Sequence, residues 1–397
     1  MARLWDKGLP LDRQVLRYTA GEDHLLDARL VTYDIRGSLA HADMLEAQGH
    51  LEPRDAERIR GGLIEIEAAW QRGEWQIELD DEDAHTAIEN RLTALIGEAG
   101  GRLHLGRSRN DQVLTALRLY LRDAADEAAA AIRELAAALH ALAARQGDVE
   151  LPGYTHMQQA MPSSVALWSG GFAAAFEDDA SGVENAKRRI LQNPLGSAAG
   201  YGTPGLDLDR DHTTRTLGFA ETQTPVTAVQ LSRGKAEAGL AFELALFQQD
   251  LGRLAADLLL FYTQEFAYVA LAPELTTGSS IMPQKRNPDV LELVRAASAT
   301  ADACLAECLA IPSKLPSGFQ RDVQRIKSPL FRTIDLALDG AAVMKLVVDG
   351  VKFRPENVQL DAGLYATERA FELVRSEGIP FREAYRRVAQ ELASAQD

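Results

Sequence analysis

The sequence has only two cysteines and no long apolar segment. Cys304 and Cys308 lie four residues apart in a helical pattern with no histidine near them, which favours buried, reduced thiols over a zinc site. The most apolar run, 254–262, is far shorter than the roughly 20 residues of a membrane-spanning helix. The first residues also lack the apolar core of a signal peptide. These absences predict a cytoplasmic protein that does not enter a membrane.

Basic residues are too few to balance the acidic ones, with 42 Lys and Arg against 58 Asp and Glu and a formal net charge of −16. The chain also has no run of basic residues. This balance argues against nucleic acids and anionic membranes as partners. It does not exclude an anionic small-molecule substrate, because a few local cations can outweigh the net field.

Strand-like alternation is nearly absent, whereas apolar residues recur at helical spacing through most of the chain. Helices of unusual length need partners along their whole surface, so the predicted fold class is all-α, with a long central antiparallel bundle doubled by oligomerisation. Five long helices are predicted, at about 111–146, from 162 onward, and at about 226–271, 288–310 and 322–349.

The length of the helical patterns changes along the chain and divides it into three parts. Shorter helices predict an N-terminal helical domain at 1–106, the long helices predict a central bundle domain at 107–352, and 353–397 predicts a short C-terminal helical domain. Because catalytic residues commonly lie on loops held by a rigid scaffold, we expect the chemistry on the segments between the helices. The non-helical segments are 100–110, 193–211 and 272–288.

The segment 278–288, Gly-Ser-Ser-Ile-Met-Pro-Gln-Lys-Arg-Asn-Pro, is the most informative in the chain. Ser279, Lys285 and Asn287 place a hydroxyl, a cation and an amide on one loop, and Glu292 follows on an amphipathic helix. Lys285 alone would more often be a solvated charge, but together these groups can meet the anion that forms as a C–H bond breaks. The cluster therefore predicts proton abstraction beside a carboxylate. The sequence has no nucleophile elbow, phosphate-binding glycine-lysine loop or dinucleotide fingerprint, which argues against hydrolysis and phosphate transfer.

Three further polar clusters lie at 83–89, 106–112 and 153–158. In the second, two arginines flank Ser108, and Asn110 follows where a long helix is predicted to start. Arginine forks and helix-start N–H groups favour carboxylates, but a capped helix start with solvated arginines would have the same sequence. His85 and His156 belong to the other two clusters; a lone histidine is more often structural than catalytic, and no pair has zinc-ligand spacing.

Taken together, these clusters resemble the argininosuccinate lyases of the fumarase/aspartase superfamily, and the resemblance spans most of the chain. Gln284 and the segment Gly-Arg-Ser-Arg-Asn-Asp-Gln point to the argininosuccinate branch. The segments that carry the resemblance are Leu4-Trp5, 33–42, 106–112, 153–158 and 278–295.

The resemblance implies an all-α homotetramer with a twenty-helix core, to which each subunit contributes five helices. Each active site would combine residues of three chains. The implied reaction is the reversible elimination of fumarate from argininosuccinate, which releases arginine as the last step of arginine biosynthesis. No metal and no organic cofactor are implied.

The resemblance also implies roles for individual residues. Lys285 and Asn287 would stabilise the carbanion, Ser279 would be the general base, and His156, paired with Glu292, would protonate the leaving guanidine. An older assignment in the family makes His156 the base, and the sequence leaves both assignments open. The residues that match substrate-binding or near-site positions are Ser108, Arg109, Asn110, Thr155, Asn287, Gln324, Lys327, Phe319 and His85.

The sequence departs from the family pattern at a few places. Phe319 stands where most relatives carry a tyrosine, and the lost hydroxyl could cost a substrate hydrogen bond worth about 1 kcal/mol. The segment 315–324 lacks the usual Tyr-Asn-Lys-Asp sequence, and 19–24 replaces a serine-containing segment that touches substrate in relatives, so no role is assigned to 19–24. The chain ends at Asp397, which predicts a C-terminal domain shorter than the family's.

Two other functions fit the same scaffold. A sibling lyase acting on another succinyl-amine, such as adenylosuccinate, would share the chemistry of the Ser279 loop. A catalytically silent structural protein, as among the lens crystallins of this family, would share only the fold. The presence of Ser279, Lys285, Asn287, Thr155 and His156 argues against the silent protein.

Overall fold

The computed structural model describes residues 12–396, so the Leu4-Trp5 motif lies outside the described residues. Within this range the α-helices are α1 (Arg13–Ala20), α2 (Asp23–Leu26), α3 (Val31–Ala47), α4 (Pro53–Gln71), α5 (Ala84–Ile96), α6 (Glu98–Arg102), α7 (Arg109–Gln146), α8 (Val165–Ile190), α9 (Arg210–Leu217), α10 (Val226–Leu231), α11 (Lys235–Tyr262), α12 (Asp289–Ala310), α13 (Lys327–Gly350), α14 (Ala366–Glu377) and α15 (Phe381–Gln396). Short 3-10 helices occupy Asp27–Arg29, Leu79–Asp81, Pro273–Leu275, Ile311–Lys314, Arg321–Ile326, Pro355–Asn357 and Ala362–Tyr365.

The strands are few and short, which confirms the all-α fold class. They are β1 (Glu150–Thr155), β2 (Gln158–Ser164), β3 (Gln192–Asn193), β4 (Glu221–Thr222), β5 (Val269–Ala270), β6 (Thr277–Gly278), β7 (Arg286–Asn287) and β8 (Lys352–Phe353). Each pairs with one other strand: β1 with β2, β5 with β8 and β6 with β7 are antiparallel, and β3 with β4 is parallel. None of the helices between residues 12 and 396 combines the length and the apolar character that a membrane crossing requires.

Four of the five predicted long helices are confirmed to within a few residues at their starts. The helix predicted from 111 to 146 is α7, whose 38 residues span about 57 Å at the usual rise. The bounds predicted for the helix at 226–271 are wrong. A non-helical stretch separates α10 from α11, and α11 already ends at Tyr262. Gly234 adopts φ +86° at this break, where a Cβ would lie only 2.8 Å from the Pro312 ring, so neither the backbone nor the packing allows a regular helix.

The chain divides into two compact units that do not follow the order of the sequence. The first unit contains the residues up to Ala129, Ser181–Ala245 and Thr300–Leu336, and the second contains Ala130–Ala180, Leu246–Ala299 and the residues from Ala337 onward. Each of the five long helices contributes residues to both units. The division into domains at 1–106, 107–352 and 353–397 stays a prediction.

The core of the first unit forms where α3, α4 and α5 pack together. Their apolar residues recur at helical spacing, so one face of each helix is buried against the other two. Proline at the first position of α4 and the Asp83 carboxylate at the start of α5, which accepts from the Thr86 N–H at 2.9 Å, start these helices. The buried side chains include Ile35, Leu45, Ile59, Leu63, Ile88 and Leu92.

The second unit is built from the remaining parts of the long helices and carries an aromatic cluster. The Trp168 ring packs on Phe261 at 5.7 Å and on Phe353 at 5.6 Å between centroids. The Trp168 indole N–H donates to Asp257 at 2.9 Å, so its polar atom is satisfied inside the packed helices. Phe176 and Phe247 continue the contact between α8 and α11. These contacts hold the scaffold that carries the loops of this unit.

Two adjacent glycines in α4 provide a test of the packing between α4 and α5 in the first unit. A Cβ on the exposed Gly61 would meet nothing within 4 Å, so Gly61→Ala should raise the free energy of unfolding by about 0.5–1 kcal/mol through helix propensity. A Cβ on Gly62 would lie 2.7 Å from the Cδ1 atom of the buried Leu92, so Gly62→Ala should lose that gain and become destabilising. Urea denaturation of the two variants measures the difference, and equal stabilisation of both would contradict this packing.

Candidate functional site

A cavity of about 150 Å³ in the first unit collects six of the predicted site residues. They come from α5, from the start of α7 and from the segment between Phe319 and Lys327. The six are His85, Arg109, Asn110, Phe319, Gln324 and Lys327. Charged residues to which the sequence analysis gave no role also line the cavity: Asp23, Asp27, Asp83, Arg233 and Arg321.

The start of α7 is held by reciprocal capping, which brings Arg109 and Asn110 to the cavity. The Asp111 carboxylate accepts from the Ser108 N–H at 2.9 Å, and the Ser108 hydroxyl accepts from the Asn110 N–H at 3.3 Å. The other oxygen of Asp111 accepts from the N–H groups of Gly196 at 2.9 Å and Ala198 at 2.8 Å, which fixes the loop at 193–211 against the helix start. Burial raises the pKa of Asp111 to about 6 against these hydrogen bonds. The cluster 106–112 therefore contains a capped helix start and also contributes Arg109 and Asn110 to the cavity wall.

Arg109 is bound to carboxylates of its own chain. One guanidinium nitrogen donates to Asp83, and another lies 3.4 Å from Glu82. Burial would raise the pKa of Asp83, but His85 and Arg109 outweigh it and lower the pKa to about 2. Arg109 is thus oriented at the cavity wall by an ionised partner.

Lys327 is almost wholly buried and ion-paired with both aspartates of the segment 23–27. Its ammonium lies 2.9 Å from Asp23 and also contacts Asp27. Burial would lower the pKa of Lys327, but Asp27 and Asp23 outweigh it and raise it. Burial raises the pKa of Asp23 to about 7, although Lys327 opposes this shift. The second oxygen of Asp27 accepts from the Ala84 N–H at 3.3 Å, which ties this ion cluster to the start of α5.

Gln324 is fixed by the end of α1. Its amide donates to the carbonyl oxygens of Thr19 at 2.9 Å and Ala20 at 3.3 Å, while its oxygen accepts from Arg321 at 2.9 Å. The segment 19–24, to which the sequence analysis gave no role, therefore positions two predicted binding residues, Gln324 and Lys327. No local signal identifies this segment, because the partner of Asp23 and Asp27 is Lys327, which lies 300 positions after Asp27 in the chain.

His85 is buried behind the cavity in an ion pair with Asp34. The Asp34 carboxylate also accepts from Gln112 at 2.9 Å and from Ser38 at 3.2 Å. Burial would raise the pKa of Asp34 and lower that of His85, but each charge stabilises the other, so the pKa of Asp34 is lowered and that of His85 is raised. The raised pKa favours the protonated form of His85, whose charge Asp34 matches inside the protein.

The remaining predicted catalytic groups belong to the second unit. Strands β6 and β7 pair and close a loop over residues 279–285, and the Asn287 amide donates to the Gly278 carbonyl at 3.2 Å. The Ser279 hydroxyl oxygen accepts from the N–H groups of Ile281 at 3.4 Å and Met282 at 3.2 Å. Donors aimed at an oxygen favour its deprotonated form, so this arrangement suits a serine that must act as a base. Lys285 and Glu292 are exposed, the latter in the first turn of α12.

His156 lies at the exposed tip of the β1–β2 hairpin. The pair Thr155 and Gln158 closes a two-residue turn in which His156 and Met157 adopt φ +52° and +61°. Neither is a glycine, so this turn stores backbone strain of the order of 1 kcal/mol or more per residue. Such strain at an exposed histidine favours a functional position over a structural one. Thr155, His156, Ser279, Lys285, Asn287, Glu292 and Ser108 are not among the residues that line the 150 Å³ cavity.

Similarity to known proteins covers nearly the whole chain. A sequence profile of the lyase family matches residues 13–301. Argininosuccinate lyase of Sorangium cellulosum is 45% identical over 99% of this chain and 91% of that protein. Argininosuccinate lyase of Thermotoga neapolitana is 39% identical over 100% of this chain and 99% of that protein. A solved structure of an EDDS lyase variant with bound fumarate has a TM-score of 0.82 and 27% identity, covering 97% of this chain and 77% of that one.

The His85–Asp34 pair predicts a pH-dependent stability. A histidine whose pKa is raised on folding stabilises the fold below its unfolded pKa of about 6.5 and loses this contribution as the pH rises through the higher folded value. Asp34 remains ionised in this range, because its pKa is lowered. His85→Gln should therefore cost about 3 kcal/mol of unfolding free energy near pH 5.5 and clearly less near pH 9.

Denaturant unfolding at the two pH values measures this difference. The matched control is His140→Gln, because His140 pairs with Glu177 at the surface, where both side chains are more than half exposed. That variant should change the free energy of unfolding by less than about 1 kcal/mol at either pH. A cost of His85→Gln that stays constant with pH would show that His85 is neutral in the folded protein.

Proposed function

Because this chain belongs to the lyase family and, within it, to the argininosuccinate lyases, we propose that it cleaves the C–N bond of argininosuccinate to release arginine and fumarate. The observation that carries this proposal is the identity of 39% to 45% to argininosuccinate lyases along almost the full length of both chains. The cavity formed by Arg109, Asn110, Gln324 and Lys327 supports it, because these residue types bind carboxylates and amides.

The difficult step is removal of a proton from carbon beside a carboxylate, since the product of that step is nearly a dianion. Ser279 is the proposed base, and the two backbone N–H groups at its oxygen would stabilise the alkoxide. Lys285 and Asn287 supply a cation and an amide donor on the same hairpin, where the negative charge develops. The electron pair left on carbon then expels the guanidine nitrogen and forms the double bond of fumarate.

The leaving guanidine must gain a proton as the C–N bond breaks. His156 is the proposed acid, and Glu292 is proposed to pair with it. The strained turn that holds His156 outward supports this role. Ser108, Thr155, Phe319 and His85 complete the proposed substrate site.

The proposed assembly is a homotetramer in which three chains contribute to each active site. Large apolar side chains on the long helices support association, because Leu167, Leu293 and Leu346 are 67%, 70% and 59% exposed in the single chain. Sharing sites between chains would also explain why the predicted residues divide between two units. The proposed location is the cytoplasm, where arginine biosynthesis would use the enzyme.

The substrate is tested with purified protein and a panel of argininosuccinate and adenylosuccinate. We expect fumarate to appear, as ultraviolet absorbance, with argininosuccinate alone. Turnover of adenylosuccinate instead would favour the sibling lyase, and a folded protein without turnover of either substrate would favour the silent structural homologue.

A matched pair of serines controls for the chemistry in this assay. Ser279→Ala should lower kcat by about 100-fold or more, because the proposed base is lost. Ser280→Ala, at the next position of the same loop, should retain most of the activity. Equal losses in both variants would mean that the loop conformation matters and the Ser279 hydroxyl does not.

Shared active sites predict complementation between inactive subunits. His156→Asn and Arg109→Gln should each be inactive alone. If the two residues come from different chains, random mixing of subunits leaves about a quarter of the sites with both residues intact. Activity should therefore reappear when the two variants are unfolded together and refolded, but not when they are mixed without exchange. A refolded mixture that contains mixed tetramers and stays inactive would contradict the shared site.

A further inference from the structure

Arg233 carries a buried positive charge that no other residue between 12 and 396 neutralises by an ion pair. It follows α10 at the break before α11, and its exposed fraction is 7%. Its Nε and NH1 atoms are buried and have no hydrogen-bond partner among residues 12–396. No ion pair between described residues includes it, and its guanidinium carbon lies 5.4 Å from the centroid of the Phe319 ring.

Such an arrangement is costly in a ligand-free protein. Buried charges are almost always paired, because removal of a charge from water is unfavourable without compensating bonds. Burial lowers the pKa of Arg233, and the fields of Glu237 and Asp23 oppose this shift only in part. Glu237 itself accepts from the Gly234 N–H at 2.9 Å. An arginine kept in this condition is suited to bind an anion that the protein does not supply.

Arg233 also faces open space. It lines the 150 Å³ cavity, and together with Phe319 it also lines a neighbouring cavity of about 790 Å³ in the same unit. Gln230, one helical turn earlier, lines the larger cavity too, and neither polar atom of its buried amide has a hydrogen-bond partner in the described part of the chain. Two unsatisfied polar side chains therefore lie beside the predicted substrate residues.

The other cations of the smaller cavity are already engaged. Lys327 is paired with Asp23 and Asp27, and Arg109 is paired with Asp83. Arg321 donates to Gln324 and to a backbone carbonyl. Arg233 is thus the cation of this cavity whose contacts leave room for a carboxylate.

The carboxylates of the same cavity indicate which end of the substrate enters it. Asp23, Asp27 and Asp83 are already paired with Lys327 or Arg109, but a carboxylate accepts more than one hydrogen bond, so these groups can also accept from a ligand ammonium. A cavity that offers such acceptors beside the Arg233 guanidinium matches an α-amino acid, which carries an ammonium and a carboxylate on one carbon. The volume of 150 Å³ is below the roughly 300 Å³ of a pocket for a whole drug-sized ligand, so it holds one end of the substrate.

We propose that Arg233 binds the α-carboxylate of the arginine portion of the substrate, at the end remote from the C–N bond that breaks. This inference rests on the proposed function. It gives Arg233 a role in binding and in selectivity for an amino acid, and it leaves the proton transfers to the Ser279 and His156 groups.

The test removes the guanidinium from the protein and, separately, the carboxylate from the ligand. Arginine and agmatine, which lacks only the carboxylate, are compared by calorimetry on the assembled wild-type enzyme and on Arg233→Met. We expect the wild-type enzyme to bind arginine about 10- to 100-fold more tightly than agmatine. In Arg233→Met the two dissociation constants should become similar, through loss of arginine affinity. Arg233→Lys keeps the charge without the fork and should retain part of the preference.

Two measurements distinguish a role of Arg233 in ligand binding from a structural role: the Tm of the variant and the ligand preference of a matched arginine variant. If Arg233 serves only ligand binding, Arg233→Met without ligand should have an equal or higher Tm than the wild-type enzyme, because a buried unpaired charge is removed. Arg325→Met removes an exposed arginine of the same unit and should leave the arginine preference intact.

Each outcome has one meaning. An arginine preference that survives in Arg233→Met overturns the inference, as does a lowered Tm with both ligands weakened equally. A rise in the KM for fumarate in the reverse reaction, with the KM for arginine unchanged, would overturn it too, since Arg233 would then serve the succinyl end. Absence of argininosuccinate turnover by the wild-type enzyme refutes the proposed function, whereas the calorimetric comparison still decides whether Arg233 binds the carboxylate.

Discussion

Pairing between buried charges is the constraint on which the site in the first unit depends. Lys327 could not remain buried and charged without Asp23 and Asp27, and its ammonium contacts both. Asp27 and Lys327 lie 300 positions apart in the chain, so their contact ties the segment after α1 to the start of α13. The pair of Arg109 with Asp83 ties the start of α7 to the start of α5, and the pair of His85 with Asp34 ties α5 to α3. The positions of Arg109, Lys327 and His85 in this unit therefore follow from charges that need partners.

This constraint also gives the paired and the unpaired cations of the site different roles. Cations that hold the scaffold together have part of their charge neutralised, so they orient a ligand more than they attract it. Ligand affinity then depends on groups that the fold leaves unsatisfied, and Arg233 is such a group. The proposed reacting groups follow a different principle, since the Ser279 hydroxyl accepts from backbone N–H groups on an exposed hairpin and His156 lies in a strained turn. Electrostatics fixed by backbone geometry need no buried counter-ion.

Much of this arrangement could be predicted from local signals. Apolar spacing identified α7, α12 and α13, because a helical face is visible in a short window of sequence. The convergence of Arg109, Asn110, Gln324 and Lys327 followed from resemblance and is consistent with the cavity. Asp23 and Arg233 were missed because each is one charged residue in an ordinary segment, and its meaning comes from what packs around it. The break at Gly234 was missed for the same reason, since Pro312, which excludes a side chain there, is distant in sequence.

The sequence by itself determined the all-α class, the long helices and the chemical character of the Ser279 loop. These depend on periodicity and on residue types within a few positions of each other. Only the tertiary structure decided which charges meet, that 19–27 supports Gln324 and Lys327, and that two guanidinium nitrogens of Arg233 have no hydrogen-bond partner among residues 12–396. The physical reason is that pairing and desolvation depend on distances through space, and residues hundreds of positions apart acquire those distances only when the chain is folded.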